Sequence, residues 1–267
     1  MATDTATTRF EIGRVIGDTF EVLGRNLVPF LLVSLVLAGV PALVQTLVLP
    51  SRVGAVGGAA MAAWGLGTFV FSLVKALLSF VLHAALVTGA IASLNGSRAN
   101  LGDMLSRGLS AAFPLLGLVI LEVLGLMVGF VLLIVPGIIL LVVWSVAVPS
   151  LVVERTGVIG AFNRSADLTR GRRWAIFGLM LIYLVLSWIV GMIAGALMFG
   201  LGGGLNVHNF TPGVAPTFTI SPVTAIFTAL LATVLGALSA SGVAALYYQL
   251  RLTKEGVAPQ ALLDTFS

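Results

Sequence analysis

Three ionisable side chains lie inside otherwise apolar stretches of the sequence: Lys75, His83 and Glu122. A charge at the centre of a membrane-spanning helix costs at least ~2.5 kcal/mol, so each of these residues calls for a partner or a function. At about 1.5 Å of rise per helical residue, His83 and Glu122 fall near the membrane midplane and Lys75 nearer the outer face. His83 and Glu122 could form a proton or ion relay between neighbouring helices. The simpler interpretation is a structural hydrogen bond, with Glu122 protonated and Lys75 extending outward along its own stem.

The densest group of charges is basic and lies between residues 155 and 173. It consists of Arg155, Arg164, Arg170, Arg172 and Arg173. A guanidinium binds phosphate as a bidentate fork, and a basic residue beside an anionic leaflet contributes about 1 kcal/mol. These arginines are therefore candidates for a lipid-headgroup site. The simpler interpretation is that they only set the orientation of the chain in the membrane.

The sequence offers no constellation for catalysis or metal binding. It has no Cys and two His, and a hydrolase inside the membrane needs a nucleophile with a base, or metal ligands, at matched depth. We therefore expect a protein that is not an enzyme, with no catalytic residues, no metal and no cofactor. The formal net charge of +4 is compatible with nucleic-acid binding, but too little polar surface exists to receive a duplex, so we expect none.

The elements that must position these residues are membrane-spanning helices. Of 267 residues, 59% are hydrophobic and 9% are charged, with a mean hydropathy of +1.14, which lies far outside the range of soluble proteins. A helix needs about 20 apolar residues to cross the hydrocarbon core. The candidate spans are 27–49, 68–94, 113–135, 138–153, 174–200 and 223–250. Pro136-Gly137 predicts a tight turn between the third and fourth spans, and the fourth, which contains Pro149, is expected to be short, kinked or only partly crossing.

The distribution of basic residues predicts the orientation. With six spans, 12 of the 14 Lys and Arg residues fall on one side, Arg52 is on the other side and Lys75 is within a span. Basic residues accumulate on the cytoplasmic side of membrane proteins. We therefore expect an even number of spans and both termini in the cytoplasm.

Amphipathic stretches precede the first, third and fifth spans. On a helical wheel, the first stretch places Ile12, Val15, Ile16, Thr19, Phe20, Leu23 and Leu27 on one face and charged residues on the other. The pattern recurs at 101–112 and 158–168, and predicts helices lying in the cytoplasmic interface. The predicted fold is all-α: a polytopic bundle of about six transmembrane helices as three hairpins, each preceded by an interfacial helix. It forms a single membrane domain with modules 10–94, 100–153 and 157–250, an irregular outer loop from Gly200 to Pro222, and a flexible tail at 253–267.

Small residues recur in three of the spans at a spacing that permits close helix packing. They are Gly125 and Gly129 in the third span, Ser187, Gly191 and Gly195 in the fifth, and Ala225, Ala229, Ala232, Gly236 and Ala240 in the sixth. The pattern predicts packing between helices of one chain, with oligomerisation as the alternative.

The stretch from Val135 to Trp174 carries the most specific pattern of residues. It contains Pro136-Gly137, Trp144, Pro149, Glu154, Gly157, Ala161, Arg164-Ser165, Leu168-Thr169 and Gly171. This stretch resembles the family of bacterial integral membrane proteins known as the membrane domain of glycerophosphoryl diester phosphodiesterase, as does Asp18-Thr19-Phe20 before the first span. The resemblance implies a multi-helix protein of the bacterial inner membrane. It does not imply the phosphodiesterase activity, which needs a barrel of roughly 200 residues or more and a cluster of His, Glu and Asp.

The residues and the resemblance together predict a function. We expect a non-enzymatic protein of the inner membrane that engages lipid headgroups or a protein partner at the cytoplasmic leaflet. Membrane lipids are the expected partners, and a second copy of the chain is left open. The alternative is a small transporter or channel that uses Lys75, His83 and Glu122.

Overall fold

The computed structural model of the protein describes residues 10–48, 58–94, 96, 100–200, 206–208, 217–219 and 222–256. Within these ranges the α-helices are α1 (Ile12–Arg25), α2 (Leu27–Ser34), α3 (Val40–Val48), α4 (Gly58–Leu94), α5 (Leu101–Ser110), α6 (Ala112–Leu132), α7 (Ile134–Trp144), α8 (Ala147–Glu154), α9 (Gly157–Thr169), α10 (Arg173–Gly200) and α11 (Pro222–Glu255). Predictions that concern Arg9, Arg52, Arg98 and residues 257–267 lie outside the described residues.

Six segments of the described chain are long and apolar enough to span a membrane. They are Leu27–Leu47, Gly65–Leu94, Ala112–Leu132, Ile134–Glu154, Arg173–Leu197 and Pro222–Glu255. The protein is therefore an all-α, multi-pass membrane protein, which confirms the predicted fold class. The first span is interrupted by a π-helical turn, Leu35–Gly39, between α2 and α3. The turn precedes Pro41, whose missing N–H cannot continue the regular hydrogen-bond ladder.

The turn between the third and fourth spans lies earlier than the sequence predicts. Helix α6 ends at Leu132, Leu133 is extended (φ −167°, ψ 151°), and α7 begins at Ile134. Pro136 therefore lies in the first turn of α7, where a helix leaves its N–H groups unpaired and tolerates proline. Pro136 helps to start the fourth span and does not end the third, so the predicted boundaries at 135 and 138 are wrong.

The fourth span is long enough to cross a membrane but is broken in the middle. Its 21 residues consist of α7 and α8, separated at Ser145 and Val146. Pro149 explains the break, because its ring would clash with the carbonyl of Ser145 in a continuous helix. The sequence-based expectation of a kinked span is confirmed, whereas the expected short length was wrong, because the span begins at Ile134.

Helix α11 lies at the centre of the bundle and packs against α1, the first span and α4. Ser34 Oγ donates a hydrogen bond to the carbonyl of Thr233 at 2.6 Å. A Cβ on Gly236 would lie 2.8 Å from Ser34 Oγ, so this glycine permits the close approach of the two helices. The predicted small-residue packing of α11 is therefore confirmed, with Ala225 and Ala240 fully buried.

The amphipathic helices α1, α5 and α9 pack their buried faces against other helices of the chain. In α1 the buried residues are Val15, Thr19 and Val22, whereas Phe20 is 55% exposed. The buried stripe of α1 is thus rotated from the predicted apolar face, which did not include Val22. In α5, Gly108 is buried because its missing side chain lets the helix approach Ala85 of α4. These faces contact protein, so lipid is not needed to cover them.

The third hairpin is splayed. While α11 packs into the bundle, α10 contacts α7 and α1, and most of its side chains are exposed. A Cβ on Gly191 or Gly195 would meet no atom of the described residues within 4 Å, so the predicted packing of these two glycines against another helix is wrong for the part of the chain that the structure describes.

Two predictions about irregular segments also need correction. The loop from Gly200 to Pro222 contains two antiparallel strands, β1 (Asn206–His208) and β2 (Thr217–Thr219). Three-residue strands are too short to give a periodic sequence signal. The predicted tail begins too early, because α11 continues to Glu255.

Candidate functional site

Four charged residues and one tyrosine form a cluster where α8, α9 and α11 meet. Glu154 ends α8, Arg164 lies on α9, and Tyr247, Arg251 and Glu255 lie on the last turns of α11. We call these five residues the ionic cluster. The side chains of the four charged residues in the ionic cluster are 15% to 26% exposed. We use the term charged end for the end of the bundle that contains the ionic cluster and the start of α10.

Glu154 is the hub of the ionic cluster. One of its oxygens lies 2.6 Å from Arg164 Nε, and the other accepts a hydrogen bond of 2.7 Å from the hydroxyl of Tyr247. Arg251 Nε lies 3.9 Å from the same second oxygen. Glu154 thereby joins helix α8 to both α9 and α11.

Glu255 closes the ionic cluster from the end of α11. Its carboxylate pairs with Arg164 and, at 3.0 Å, with Arg251 Nε. Burial disfavours the charged form of Arg164, but hydrogen bonds and Coulombic attraction from Glu154 and Glu255 outweigh it, so the pKa of Arg164 lies above its ordinary value. Two carboxylates and two guanidinium groups neutralise one another, so the cluster acts as a structural clasp and has no free charge for a ligand.

Ser165, which follows Arg164 in the sequence pattern, bonds to the backbone of the fourth span. Its hydroxyl donates to the carbonyl of Val143 at 2.7 Å and accepts from the N–H of Val146 at 3.3 Å. Both backbone groups lie at the break between α7 and α8. Because an unpaired backbone group is costly when buried, Ser165 stabilises the broken span.

Other residues of the same pattern also have structural roles. Gly157 and Gly171 have φ values of +73° and +85°, a region that favours glycine, and they lie at the start of α9 and after its end. Ala161 and Leu168 are fully buried on α9. The pattern from Pro136 to Trp174 therefore encodes the docking of α9 onto the broken fourth span.

The five candidate headgroup arginines fall into two groups, those with a partner in the protein and those without one among the described residues. Arg164 belongs to the ionic cluster, and Arg172 donates a hydrogen bond of 3.2 Å to the carbonyl of Thr253 near the end of α11. Arg155, Arg170 and Arg173 are exposed and form no ion pair within the described residues. Arg155 lies at the opposite end of α9 from the other two, about 20 Å away for a helix of 13 residues. Arg170 and Arg173 flank one short turn, which is the strongest candidate for binding an anion.

The three candidate residues inside the spans lie in different places. Lys75 donates a hydrogen bond of 2.5 Å to Gln45 of α3. His83 Nδ1 lies 2.8 Å from the carbonyl of Ser79, and its Nε2 lies 3.3 Å from the hydroxyl of Ser239 on α11. No hydrogen bond or ion pair joins His83 to Glu122 in the described part of the chain, so the structure does not bring together the relay that the sequence suggests.

The arrangement of His83 and Ser239 is that of a base beside a hydroxyl. Nδ1–H donates to the carbonyl of Ser79, which leaves Nε2 to accept the Ser239 proton. The Ser239 hydroxyl also lies 3.1 Å from the carbonyl of Gly236 within its own helix. Ser239 is about 24 Å along α11 from Glu255, deep in the span and far from the carbonyl esters of a lipid. The contacts therefore satisfy buried polar groups. Within the described residues, no group of three or more His, Asp or Glu side chains could hold a metal ion.

Glu122 has no hydrogen-bond or ionic partner among the described residues and lies on the inner stripe of α6 with Leu118 and Gly125. Replacing Glu122 by Leu is expected to stabilise the protein by about 1–3 kcal/mol, because a partly buried carboxyl group without a partner is costly. Thermal unfolding in nanodiscs measures the change, with Glu122→Gln as the polar control. A loss of stability in Glu122→Leu would show that this carboxyl group has a stabilising partner.

An apolar groove lies between the splayed helices α10 and α11. Its volume is about 250 Å³, and side chains of α1, α10 and α11 together with Ser145 line it. Ile182 and Leu186 of α10 are 47% and 40% exposed, so the groove opens sideways, in the direction of the surrounding lipid. Sequence patterns gave no sign of this groove, because it results from the position of α11 against α1 and α4.

These features define the class of the protein: a multi-pass, all-α membrane protein whose broken fourth span is held at one end by partly buried ion pairs. The chain belongs to the family described as Domain of unknown function (DUF7847), whose family model matches residues 10–250. No curated protein and no solved structure gave a match. The resemblance to the membrane domain of glycerophosphoryl diester phosphodiesterase stays a prediction.

Proposed function

We propose that this is a non-enzymatic protein of the bacterial inner membrane that binds the phosphate headgroup of an anionic lipid at its charged end. In this proposal the charged end and both termini face the cytoplasm. The observation that carries it is that Arg170 and Arg173, on the turn between α9 and α10, have no partner among the described residues for their guanidinium groups.

The local charge supports an anionic ligand. Arg170, Arg172 and Arg173 lie within four residues, and Asp167, one turn earlier, is the nearest acidic residue in the sequence. Glu154 and Glu255 are already neutralised by Arg164 and Arg251. The turn therefore carries a net positive charge, beside which an anionic headgroup is stabilised by about 1 kcal/mol per free arginine.

The double variant Arg170→Gln/Arg173→Gln tests this function. We expect its retention of phosphatidylglycerol, measured by native mass spectrometry of purified protein, to fall up to ~30-fold at low salt, which corresponds to about 2 kcal/mol. The difference should shrink as salt increases, because exposed charges are screened. Retention of zwitterionic phosphatidylcholine should change little.

The matched control is Arg14→Gln/Arg25→Gln, which removes the same charge from α1. Both of those arginines are exposed, and they pair with Glu11 and Glu21. An equal loss of phosphatidylglycerol in both double variants would mean that only net charge matters. Unchanged lipid retention together with loss of a copurifying protein would favour a protein partner over a lipid.

A further inference from the structure

The geometry points to a binding site for one acyl chain of an anionic phospholipid in the groove between α1, α10 and α11. The inference rests on the proposed function, since it places the chain of the same lipid whose headgroup binds Arg170 and Arg173. It adds a second contact, which recognises the hydrophobic part of the ligand.

The groove lies at the right depth below the arginines. Its lining on α10 runs from Leu179 to Leu186, which is ~9 to ~20 Å along the helix from Arg173. One leaflet of the hydrocarbon core is ~15 Å thick. A lipid held by its phosphate at Arg173 would therefore extend a chain along this part of α10.

The top of the groove is continuous with the charged end. Arg172, the residue before α10, bonds to the carbonyl of Thr253, so the turn lies directly against the end of α11. The groove residues nearest in sequence to this end are Leu179 of α10 and Leu246 of α11. Headgroup site and groove thus share the same two helices.

The groove is chemically suited to hydrocarbon. Three of its hydroxyl groups are occupied within the protein: Thr19 donates to the carbonyl of Val15 at 2.7 Å, Ser145 donates to that of Val142 at 2.9 Å, and Ser239 contacts His83. Polar groups that are already paired have little to offer a polar ligand. The remaining lining is mainly aliphatic side chains.

The groove is open to lipid from the side. Ile182 and Leu186, which line it, are partly exposed on the outer surface of α10. An acyl chain can therefore enter the groove from the surrounding membrane, and the depth of the groove below Arg173 favours the chain of a lipid bound there.

The test fills the groove. A Cβ on Gly242 would meet only Thr19 atoms, both at 3.9 Å, so Gly242→Leu can direct its side chain into the groove without a backbone clash. We expect retention of dioleoyl phosphatidylglycerol to fall about tenfold, because the lipid loses its dispersion contacts with the walls. Retention of dihexanoyl phosphatidylglycerol, whose short chains cannot fill the groove, should not change. Gly191→Leu, where no atom lies within 4 Å, is the control and should retain both lipids normally.

A second variant fills the groove with a side chain from α10. Leu186→Trp should also reduce the retention of dioleoyl phosphatidylglycerol, and it tests the site even if Gly242→Leu does not fold. Normal retention of the dioleoyl lipid in a folded variant, or an equal loss of both lipids, would overturn the acyl site. If Arg170→Gln/Arg173→Gln lost both lipids while the groove variants had no effect, the headgroup site would be supported and the acyl site would be rejected. Loss in the groove variants but not in the arginine variant would remove the proposed headgroup site, and with it this inference.

Discussion

Replacing Glu154 by Gln is expected to lower the free energy of unfolding by about 2–4 kcal/mol. The substitution keeps the shape of the side chain but leaves two guanidinium groups, those of Arg164 and Arg251, with only one carboxylate, that of Glu255. Breaking a buried ion pair is costly because a charge remains without compensation, and the partial exposure of these side chains reduces the cost somewhat. Denaturant unfolding in micelles measures the difference.

The control for this prediction is the same chemical change in an exposed pair. Glu21 lies 2.6 Å from Arg25 on α1, and both side chains are more than half exposed. Glu21→Gln should change stability by less than ~0.5 kcal/mol, because solvent screens such pairs. If Glu154→Gln were as mild as Glu21→Gln, the ionic cluster would not be a clasp. In the double variant Glu154→Gln/Arg164→Gln the loss should be smaller than the sum of the single losses.

Replacing Gly39 by Val is expected to destabilise the protein by about 3 kcal/mol. A Cβ on Gly39 would overlap Thr233 Oγ1 and lie 3.1 Å from the carbonyl oxygen of Ala229. Thr233 cannot easily rotate away, because its hydroxyl bonds to that same carbonyl at 2.8 Å. The first span must therefore separate from α11, with loss of the bond between Ser34 and the Thr233 carbonyl. Thermal unfolding and protease sensitivity in nanodiscs report this change.

Gly191→Val is the matched control for Gly39→Val. Both glycines lie in apolar spans and the same atoms are added, but a Cβ on Gly191 would meet no atom of the described residues within 4 Å. Its replacement should leave the unfolding temperature nearly unchanged. Equal losses in the two variants would mean that the helical conformation itself, and not the close contact with α11, requires glycine at position 39.

The spans could be predicted from the sequence because the requirement is local. A run of about 20 apolar residues identifies a span whatever packs against it, and six segments of the described chain are such runs. Boundaries at proline were harder to predict. Pro136 can end one helix or start the next, and only the extended conformation of Leu133 shows that it starts α7.

The functional assignment of single residues was less predictable, because partners lie far away in the sequence. Arg164 and Arg173 are equivalent in a list of basic residues. In the structure Arg164 pairs with Glu255, 91 residues further on, whereas Arg173 has no ionic partner among the described residues. Likewise, the partner of His83 is Ser239, 156 residues away, which no local pattern associates with it. A helical wheel found the amphipathic character of α1 but not the stripe through Val22, because the position of α11 decides which side is buried.

The central position of α11 has a consequence for how the chain is made. The side chains of Asp18 and Gln249 bond to each other across 231 residues. At ~5–20 residues per second, roughly 10–50 s pass between the synthesis of the two. For most of this interval the ribosome has not yet supplied α11, which begins at Pro222 and covers α1. An amphipathic helix can wait in the membrane interface with its apolar side in lipid. We therefore expect α1 to lie on the membrane in the nascent chain and to leave it for α11 once that helix has been made.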